Sequence, residues 1–140
     1  RKTNRIDVLP TPKPRKKLPR RRTMMLVLQH AGEILLEKRP ASGIWGGMWC
    51  FPEAEFDANV VEACVRRYGA TVTLSAPLPL IAHGFTHFKL DILAQLVVVT
   101  AWPHHTAEPG YLWISPDDAL HAAVPTPVRG IIEQLISQRR

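Results

Sequence analysis

The sequence predicts a single α/β domain preceded by an extended connector. The chain has 140 residues, of which 46% are hydrophobic, enough for one core but hardly for two. Short apolar stretches separated by turn residues predict strands, and segments whose apolar residues recur at helical spacing predict helices. A stretch rich in proline and basic residues precedes the first strand. We therefore expect a connector over residues 1–22 and a domain over residues 23–140.

The connector carries much of the positive charge of the chain. The net charge is +6, and residues 1–22 hold six arginines and four lysines against one acid, Asp7. Four prolines within residues 9–22 favour an extended, semi-rigid spacer. Such a block either contacts phosphates or forms a solvated tail, and its charge leaves both open. Because the chain starts at Arg1, we also expect it to be a piece of a longer protein.

The first part of the domain is predicted to form a β-hairpin and a loop. Residues 23–29 (TMMLVLQ) and 33–39 (EILLEKR) are apolar strands joined by a turn at residues 30–33. A glycine-rich loop with two tryptophans follows at residues 40–49, and a short strand ends at Pro52. We expect both tryptophans to pack on the sheet, with the glycines permitting a tight turn.

An amphipathic helix is predicted to begin at Asp57 or Asn59 and to end at Tyr68. Gly69 suits the position just past the end of the helix, and basic residues in the last turn interact favourably with the helix dipole. One helical face is apolar and is expected to be buried, namely Val60, Val61, Cys64, Val65 and Tyr68.

The second part of the domain is predicted to contain further strands and two helices. Residues 71–74 and 111–115 are strands, and residues 81–100 form one or two long strands with a bend at Gly84. Ser115 and Thr126, each followed by proline, predict helix starts. The last helix is expected to bury Val128, Ile131, Ile132, Leu135 and Ile136.

Several kinds of site are not expected. Cys50 and Cys64 lie in apolar surroundings without a CxxC or Cys/His pattern, which predicts buried free thiols. Thr86, His87 and Asp91 have the residue types of a nucleophile set, but a strand would place them on different faces. The loop histidines His104 and His105 are expected to be solvated rather than metal-bound.

With no long apolar run, we expect a cytoplasmic, nucleoid-associated bacterial monomer without a membrane partner.

The order of elements over residues 23–140 resembles the Nudix fold, an α/β/α sandwich around a mixed β-sheet. The metal box of that family has the form G, five residues, E, seven residues, REUxEExGU, where U is aliphatic, and its last carboxylates bind magnesium. When the box is aligned on Gly69, Glu62 falls on the family arginine, and Arg66 and Arg67 fall on the paired glutamates. Two arginines would repel Mg²⁺, so we expect no metal and no Nudix hydrolysis.

Four segments carry a narrower resemblance: LPTPKPRKKLPRRR, EKRPASGIWGGMWCFPE, HGFTHFKLDI and TPVRGII. Together they resemble the C-terminal domain of the MutY family of adenine DNA glycosylases, which is related to the 8-oxo-dGTP pyrophosphatase MutT. The resemblance implies a separate N-terminal catalytic domain of the same protein, with an iron–sulfur cluster (4Fe-4S). It therefore implies no catalytic residue and no cofactor in this chain, whose two cysteines cannot supply four cluster ligands.

The resemblance also implies a site for recognising the lesion. In similar proteins a Phe-Ser-His loop contacts 8-oxoguanine, and the matching residues here are Phe85, Thr86 and His87. Threonine keeps the serine hydroxyl, which can both donate to and accept from the altered edge of the oxidised base. We expect alternation along the strand to place Phe85, His87 and Lys89 on the face opposite Phe88.

The predicted function is recognition of double-stranded DNA that contains 8-oxoguanine opposite adenine. Basic side chains are expected to contact the DNA backbone, namely Lys16, Lys17, Arg20, Arg21, Arg22 and Lys89. One alternative is a Nudix hydrolase of oxidised nucleoside triphosphates. Another is a protein-docking module whose partner site is the connector.

Overall fold

Most strands and helices form where the apolar patterns predict them. The structure, a computed structural model, describes residues 18–103 and 109–139. The strands are β1 (Arg20–His30), β2 (Glu33–Lys38), β3 (Trp49–Cys50), β4 (Glu53–Ala54), β5 (Thr71–Leu74), β6 (Ile81–Gly84), β7 (Lys89–Ala101) and β8 (Tyr111–Ile114). The helices are α1 (Val60–Tyr68), α2 (Pro116–Ala119) and α3 (Thr126–Gln138).

The sheet is built around a parallel pair of long strands, β1 and β7. Their register runs from Arg20 opposite Lys89 to Gln29 opposite Val98. All other described pairs are antiparallel. Strands β2 and β4 pair with β1, strands β5 and β6 pair with β7, and strands β3 and β8 pair with β2. The sheet is therefore mixed, as predicted.

Helices cover both faces of this sheet because its central strands are apolar on both sides. On one face, residues of β1 and β7 such as Met25 and Ile92 pack with Ile131 and Ile132 of α3. On the other face, residues such as Leu26 pack with Cys64 of α1. This arrangement confirms the predicted α/β/α sandwich.

Helix α1 has the expected ends and a narrower buried face than predicted. The Asn59 side chain accepts a hydrogen bond from the Glu62 amide at 3.1 Å, and Gly69 adopts a left-handed φ of 63°. The prediction that Val61 and Val65 are buried is wrong, because they are 40% and 55% exposed. The predicted burial of Val60, Cys64 and Tyr68 is confirmed, and Ala63 is buried beside them.

Strand β1 begins at Arg20, three residues earlier than the apolar pattern predicts. Residues 20–22 pair with residues 89–91 of β7, so backbone hydrogen bonding extends the strand past its apolar part. The three arginines therefore belong to the central sheet, and their side chains alternate between its two faces.

The two C-terminal helices begin in different ways. Ser115 caps α2 as predicted, because its Oγ accepts a hydrogen bond from the Asp118 amide at 3.2 Å. Thr126 does not cap α3. It is already the first helical residue, and Pro125 occupies the cap position without a side-chain hydrogen bond.

Both cysteines are free and buried, as predicted. Burial raises the pKa of the Cys50 thiol to about 12 and also raises the pKa of Cys64. The thiolate is the reactive form, so neither residue is suited to nucleophilic chemistry at neutral pH.

Candidate nucleic-acid interface

Strands β6 and β7 form an antiparallel hairpin that presents the predicted recognition residues. The amide of Phe85 donates a hydrogen bond to the carbonyl of Phe88 at 2.8 Å, which closes the hairpin. Thr86 and His87 lie between these two residues and are exposed. We refer to Thr86 and His87 as the hairpin tip. The structure thus brings the three predicted residues together at the end of one hairpin.

The geometry of the hairpin differs from the predicted alternation. The rings of Phe85 and Phe88 are stacked with centroids 4.6 Å apart, so the prediction that they lie on opposite faces is wrong. The chain reverses direction between them, and residues facing each other across a hairpin share a face. The bend lies at the tip and not at Gly84, which ends β6 without a left-handed φ.

Aromatic side chains hold the base of the tip. Phe85 and Phe88 pack at the margin of the core, together with the two loop tryptophans, as expected for the latter. Trp45 lies 5.4 Å from Phe85 and 5.7 Å from His83, measured between ring centroids. His83 in turn contacts Phe85 edge-on at 4.8 Å. The tip is therefore anchored to the core on its apolar side while its polar side chains remain exposed.

The loop that carries Trp45 depends on an unusual backbone. Trp45 has a φ of 54°, a left-handed conformation that costs energy for a bulky residue. The next residue, Gly46, approaches the backbone so closely that a Cβ there would lie 2.3 Å from the carbonyl oxygen of Ala41. Glycine at this position therefore permits the tight turn that directs Trp45 toward the hairpin.

Two of the predicted DNA-contacting arginines rest on aromatic rings. The guanidinium carbon of Arg21 lies 4.4 Å from the centroid of the Phe88 ring, and that of Arg22 lies 4.7 Å from Phe56. Contact with a ring face orients the guanidinium but leaves its N–H groups at the edge available for other partners. Both side chains are exposed.

Other residues that are predicted to contact the DNA backbone lie at the same end of β1. Arg20 approaches Asp91 of β7, with a distance of 3.7 Å between its Nε and the carboxylate. Lys89 is exposed, and its amide donates to the carbonyl of Pro19 at 2.9 Å. Lys16 and Lys17 lie outside the described residues, as do His104 and His105.

A cleft of about 590 Å³ opens beside these arginines. We call it the basic cleft; its walls come from the start of β1, the loop after β2, strand β4, helix α1 and the base of the hairpin. It is lined by Arg21, Arg22, Thr23, Arg39, Gly43, Ile44, Glu53, Ala54, Glu55, Arg67, Phe88 and Leu90. Arg67 therefore faces the cleft, whereas Arg66 does not line it.

One cation of the basic cleft has a structural role. Arg39 forms an ion pair with Glu53 at 2.9 Å, and its Nε donates to the carbonyl of Ile44 at 3.1 Å. Arg39 thereby links β2, β4 and the glycine-rich loop. No such role follows from the local sequence, because the partners become neighbours only when the chain folds back.

The basic cleft does not fit the magnesium ion that the Nudix fold implies. A hard cation needs several oxygen ligands. Here Glu53 is paired with Arg39, and Arg67 brings a positive charge to the helix side of the cleft. Within residues 18–103 and 109–139, no three His, Cys, Asp or Glu side chains are grouped to hold a metal.

Sequence reasoning missed the residues that support the site. Phe56 and Trp45 lie far along the chain from Arg22 and Phe85, which they contact. Phe88 lies further still from Arg21, so no local pattern identifies these contacts. The sequence offers one signal, the position of Phe88 directly after the Phe-Thr-His stretch. Among the described residues, no helix is long and apolar enough to cross a membrane.

A family model described as "NUDIX domain" matches residues 23–134. Among curated proteins, the adenine DNA glycosylase of Mus musculus is 26% identical over 115 residues, covering 76% of this chain and 22% of the relative. The chain thus spans less than a quarter of that relative.

Solved structures show the same fold. The C-terminal domain of mouse MUTYH, solved in complex with human PCNA, matches with a TM-score of 0.62 and 23% identity, covering 84% of this chain and 88% of that one. The MutT protein from Methanosarcina mazei Go1 matches with a TM-score of 0.67 and 17% identity, covering 89% and 99%. The expected resemblance to adenine DNA glycosylases and to MutT is therefore confirmed.

Proposed function

This chain belongs to the Nudix domain family, and from that premise we propose that it is the lesion-recognition domain of an adenine DNA glycosylase. In this role it binds DNA that contains 8-oxoguanine opposite adenine and contributes specificity rather than bond cleavage. Phe85, Thr86 and His87 form the recognition site.

The observation that carries the proposal is the anchored hairpin with its exposed polar tip. Phe85 and Phe88 are stacked and packed against the core, so the hairpin is held at its base. Thr86 and His87 extend beyond this base and are exposed. A hairpin that is held rigidly and exposes hydrogen-bonding groups at its tip suits recognition of a nucleobase edge, because little conformational entropy is lost on binding.

The chemistry of the lesion fits these groups. Oxidation gives guanine a carbonyl at C8 and turns N7 from an acceptor into an N–H donor. The Thr86 hydroxyl can accept a hydrogen bond from such a donor, and a hydroxyl also has a proton to donate. His87 supplies a second polar group, and the exposed part of Phe85 offers an apolar edge.

The bond cleavage belongs to the proposed parent enzyme. There, an N-terminal domain with the iron–sulfur cluster would hydrolyse the N-glycosidic bond of an adenine turned out of the helix. The partners of this chain are then that domain and the damaged duplex, in a monomer at the bacterial nucleoid. The arginines at the start of β1, with Lys16, Lys17 and Lys89, add contacts to the DNA backbone that do not depend on sequence.

Replacing Thr86 in the parent enzyme tests the proposal. Single-turnover rates of adenine removal are compared opposite 8-oxoguanine and opposite guanine. Thr86→Ala should lower the preference for the lesion by about 1–3 kcal/mol, the value of one discriminating contact. Thr86→Ser is the matched control, because it keeps the hydroxyl and should retain the preference. An unchanged preference in Thr86→Ala would remove Thr86 from the recognition site.

Two assays address the alternatives. Incubation of the chain with 8-oxo-dGTP and Mg²⁺ tests the hydrolase, and robust release of the monophosphate would overturn the proposal. Deletion of residues 1–17, which leaves β1 intact, followed by pull-down tests the docking module. We expect no hydrolysis by this chain and no adenine release in the absence of the catalytic domain.

A further inference from the structure

The charge of the basic cleft is unbalanced. Four arginines and two glutamates line it. Arg39 and Glu53 neutralise each other at 2.9 Å. Three arginines then remain, Arg21, Arg22 and Arg67, against Glu55 alone.

Each of these three arginines has N–H groups to offer to a ligand. The guanidinium carbons of Arg21 and Arg22 lie over aromatic rings, and both side chains are exposed. Arg67 is exposed on the last turn of α1, and within the described part of the chain it forms no ion pair. It is near enough to the Tyr68 hydroxyl to oppose the rise of that group's pKa, which burial dominates. A planar guanidinium matches two oxygens of a phosphate at once, as a bidentate pair.

We propose that the basic cleft binds a phosphate group directly, without a metal ion, and that Arg67 provides the main contact from α1. Arg21 and Arg22, whose side chains leave β1 on opposite sides and both line the cleft, complete the site. Their rings, Phe88 and Phe56, hold the two guanidinium groups in place before the ligand arrives, which reduces the entropy lost on binding.

The position of the cleft favours a phosphate of the DNA backbone. Phe88 lines the cleft, carries Arg21 on one side and stacks on Phe85. The cleft and the hairpin tip therefore share a residue and belong to one surface. A strand whose damaged base meets the tip would pass its backbone close to the cleft. A free nucleotide offers the same phosphate chemistry, so the two sources must be separated by experiment.

The test compares Arg67→Gln with Arg66→Gln in the 140-residue chain. The two residues are neighbours on the exposed side of α1, but only Arg67 lines the cleft. Affinity for an undamaged duplex is measured in EDTA over a series of salt concentrations, and thermal melting checks that both variants fold. Arg67→Gln should weaken binding about threefold to tenfold at low salt and reduce the slope of log K against log salt by about one. Arg66→Gln should change both quantities much less, and Arg67→Lys should recover part of the affinity.

A second arm identifies the source of the phosphate. Inorganic pyrophosphate and dGTP, still in EDTA, are titrated into the wild-type chain and into Arg67→Gln. Duplex binding that depends on Arg67, together with weak binding of the free anions, assigns the site to DNA. Tight Arg67-dependent binding of dGTP alone would assign the same site to a free nucleotide.

Equal effects of Arg66→Gln and Arg67→Gln on every ligand would overturn the phosphate site, as would binding that requires Mg²⁺. These measurements use undamaged DNA and no glycosylase reaction. The choice of DNA as the source of the phosphate rests on the proposed function, but these measurements do not depend on whether Thr86 recognises the lesion.

Discussion

At the scale of single residues, Trp45 shows how one side chain holds others in position. Its ring contacts both Phe85 and His83, which flank Gly84 at the end of the hairpin. The backbone of Trp45 is strained, and strain of this kind persists where surrounding contacts compensate for it. Trp45 therefore positions the residues at the base of the hairpin tip.

Trp45→Ala should reduce the lesion preference of the parent enzyme severalfold. The reason is that Phe85 loses one of its neighbours and the tip gains freedom. Stability should fall by about 1–3 kcal/mol, less than for a fully buried tryptophan. Both quantities are measurable, as single-turnover preference and as the free energy of unfolding in urea.

Trp102→Ala is the control for this substitution. Trp102 is also partly buried, but it packs on Tyr68 and Trp113, away from the hairpin. It should lower stability and leave the lesion preference intact. If both variants lost the preference equally, general destabilisation and not positioning would be the cause.

At the scale of elements, patterns confined to one segment predict the structure well. Helix α1 has its cap, its end and most of its length where Asn59 and Gly69 predict them. The sequence does not predict the hairpin geometry at Phe85–Phe88, because a strand that bends and two strands joined by a turn have the same apolar alternation. The sequence also does not predict that Arg21 contacts Phe88, because Phe88 lies 67 positions further along the chain.

The two longer helices differ in how much a capping side chain at the N-terminus stabilises them. Asn59→Ala removes the side-chain acceptor for the Glu62 amide and should cost about 0.5–2 kcal/mol of stability. Thr126→Ala should cost less than about 0.5 kcal/mol, because Thr126 makes no capping hydrogen bond and is exposed. Urea unfolding of both variants gives the comparison. A loss at Thr126 as large as that at Asn59 would contradict this account of α3.

At the scale of the whole molecule, the same fold supports a cleft of reversed charge. The box pattern carries Arg66 and Arg67 where the family has acids, and the helix still forms, packs and ends at Gly69. The fold depends on the buried stripe of α1, whereas metal binding depends on its exposed side. Family membership could thus be predicted from the sequence. Which of the two arginines faces the cleft could not, since that depends on how the helix is rotated against the sheet.

The buried ionisable groups predict how stability changes in alkaline solution. Burial raises the pKa of Cys50 to about 12 from 9.0 and that of Tyr68 to about 12 from 10.0. The unfolded chain loses these protons first, so stability is full below about pH 9 and falls as the pH rises toward 12. Each group contributes a slope of at most about 1.4 kcal/mol per pH unit.

This decline can be assigned by comparing the wild-type chain with Cys50→Ala. Free energies of unfolding are measured from pH 7 to pH 11 in both proteins. The variant should be less stable at pH 7 because of the cavity, yet it should lose stability less steeply above pH 9. Parallel curves would show that Cys50 does not contribute to the alkaline decline.

The parallel pairing of β1 with β7 has a mechanical consequence. The described chain enters β1 beside Lys89, where the Pro19 carbonyl accepts a hydrogen bond from the Lys89 amide. In the proposed parent enzyme, this domain would therefore be attached next to the hairpin tip. The opposite end of the 11-residue strand β1 is roughly 35 Å away. If the domain pivots about this attachment, the tip moves on a short lever arm and the far end of the sheet on a long one. Thr86 and His87 would then stay close to a fixed place while the rest of the domain moves around them.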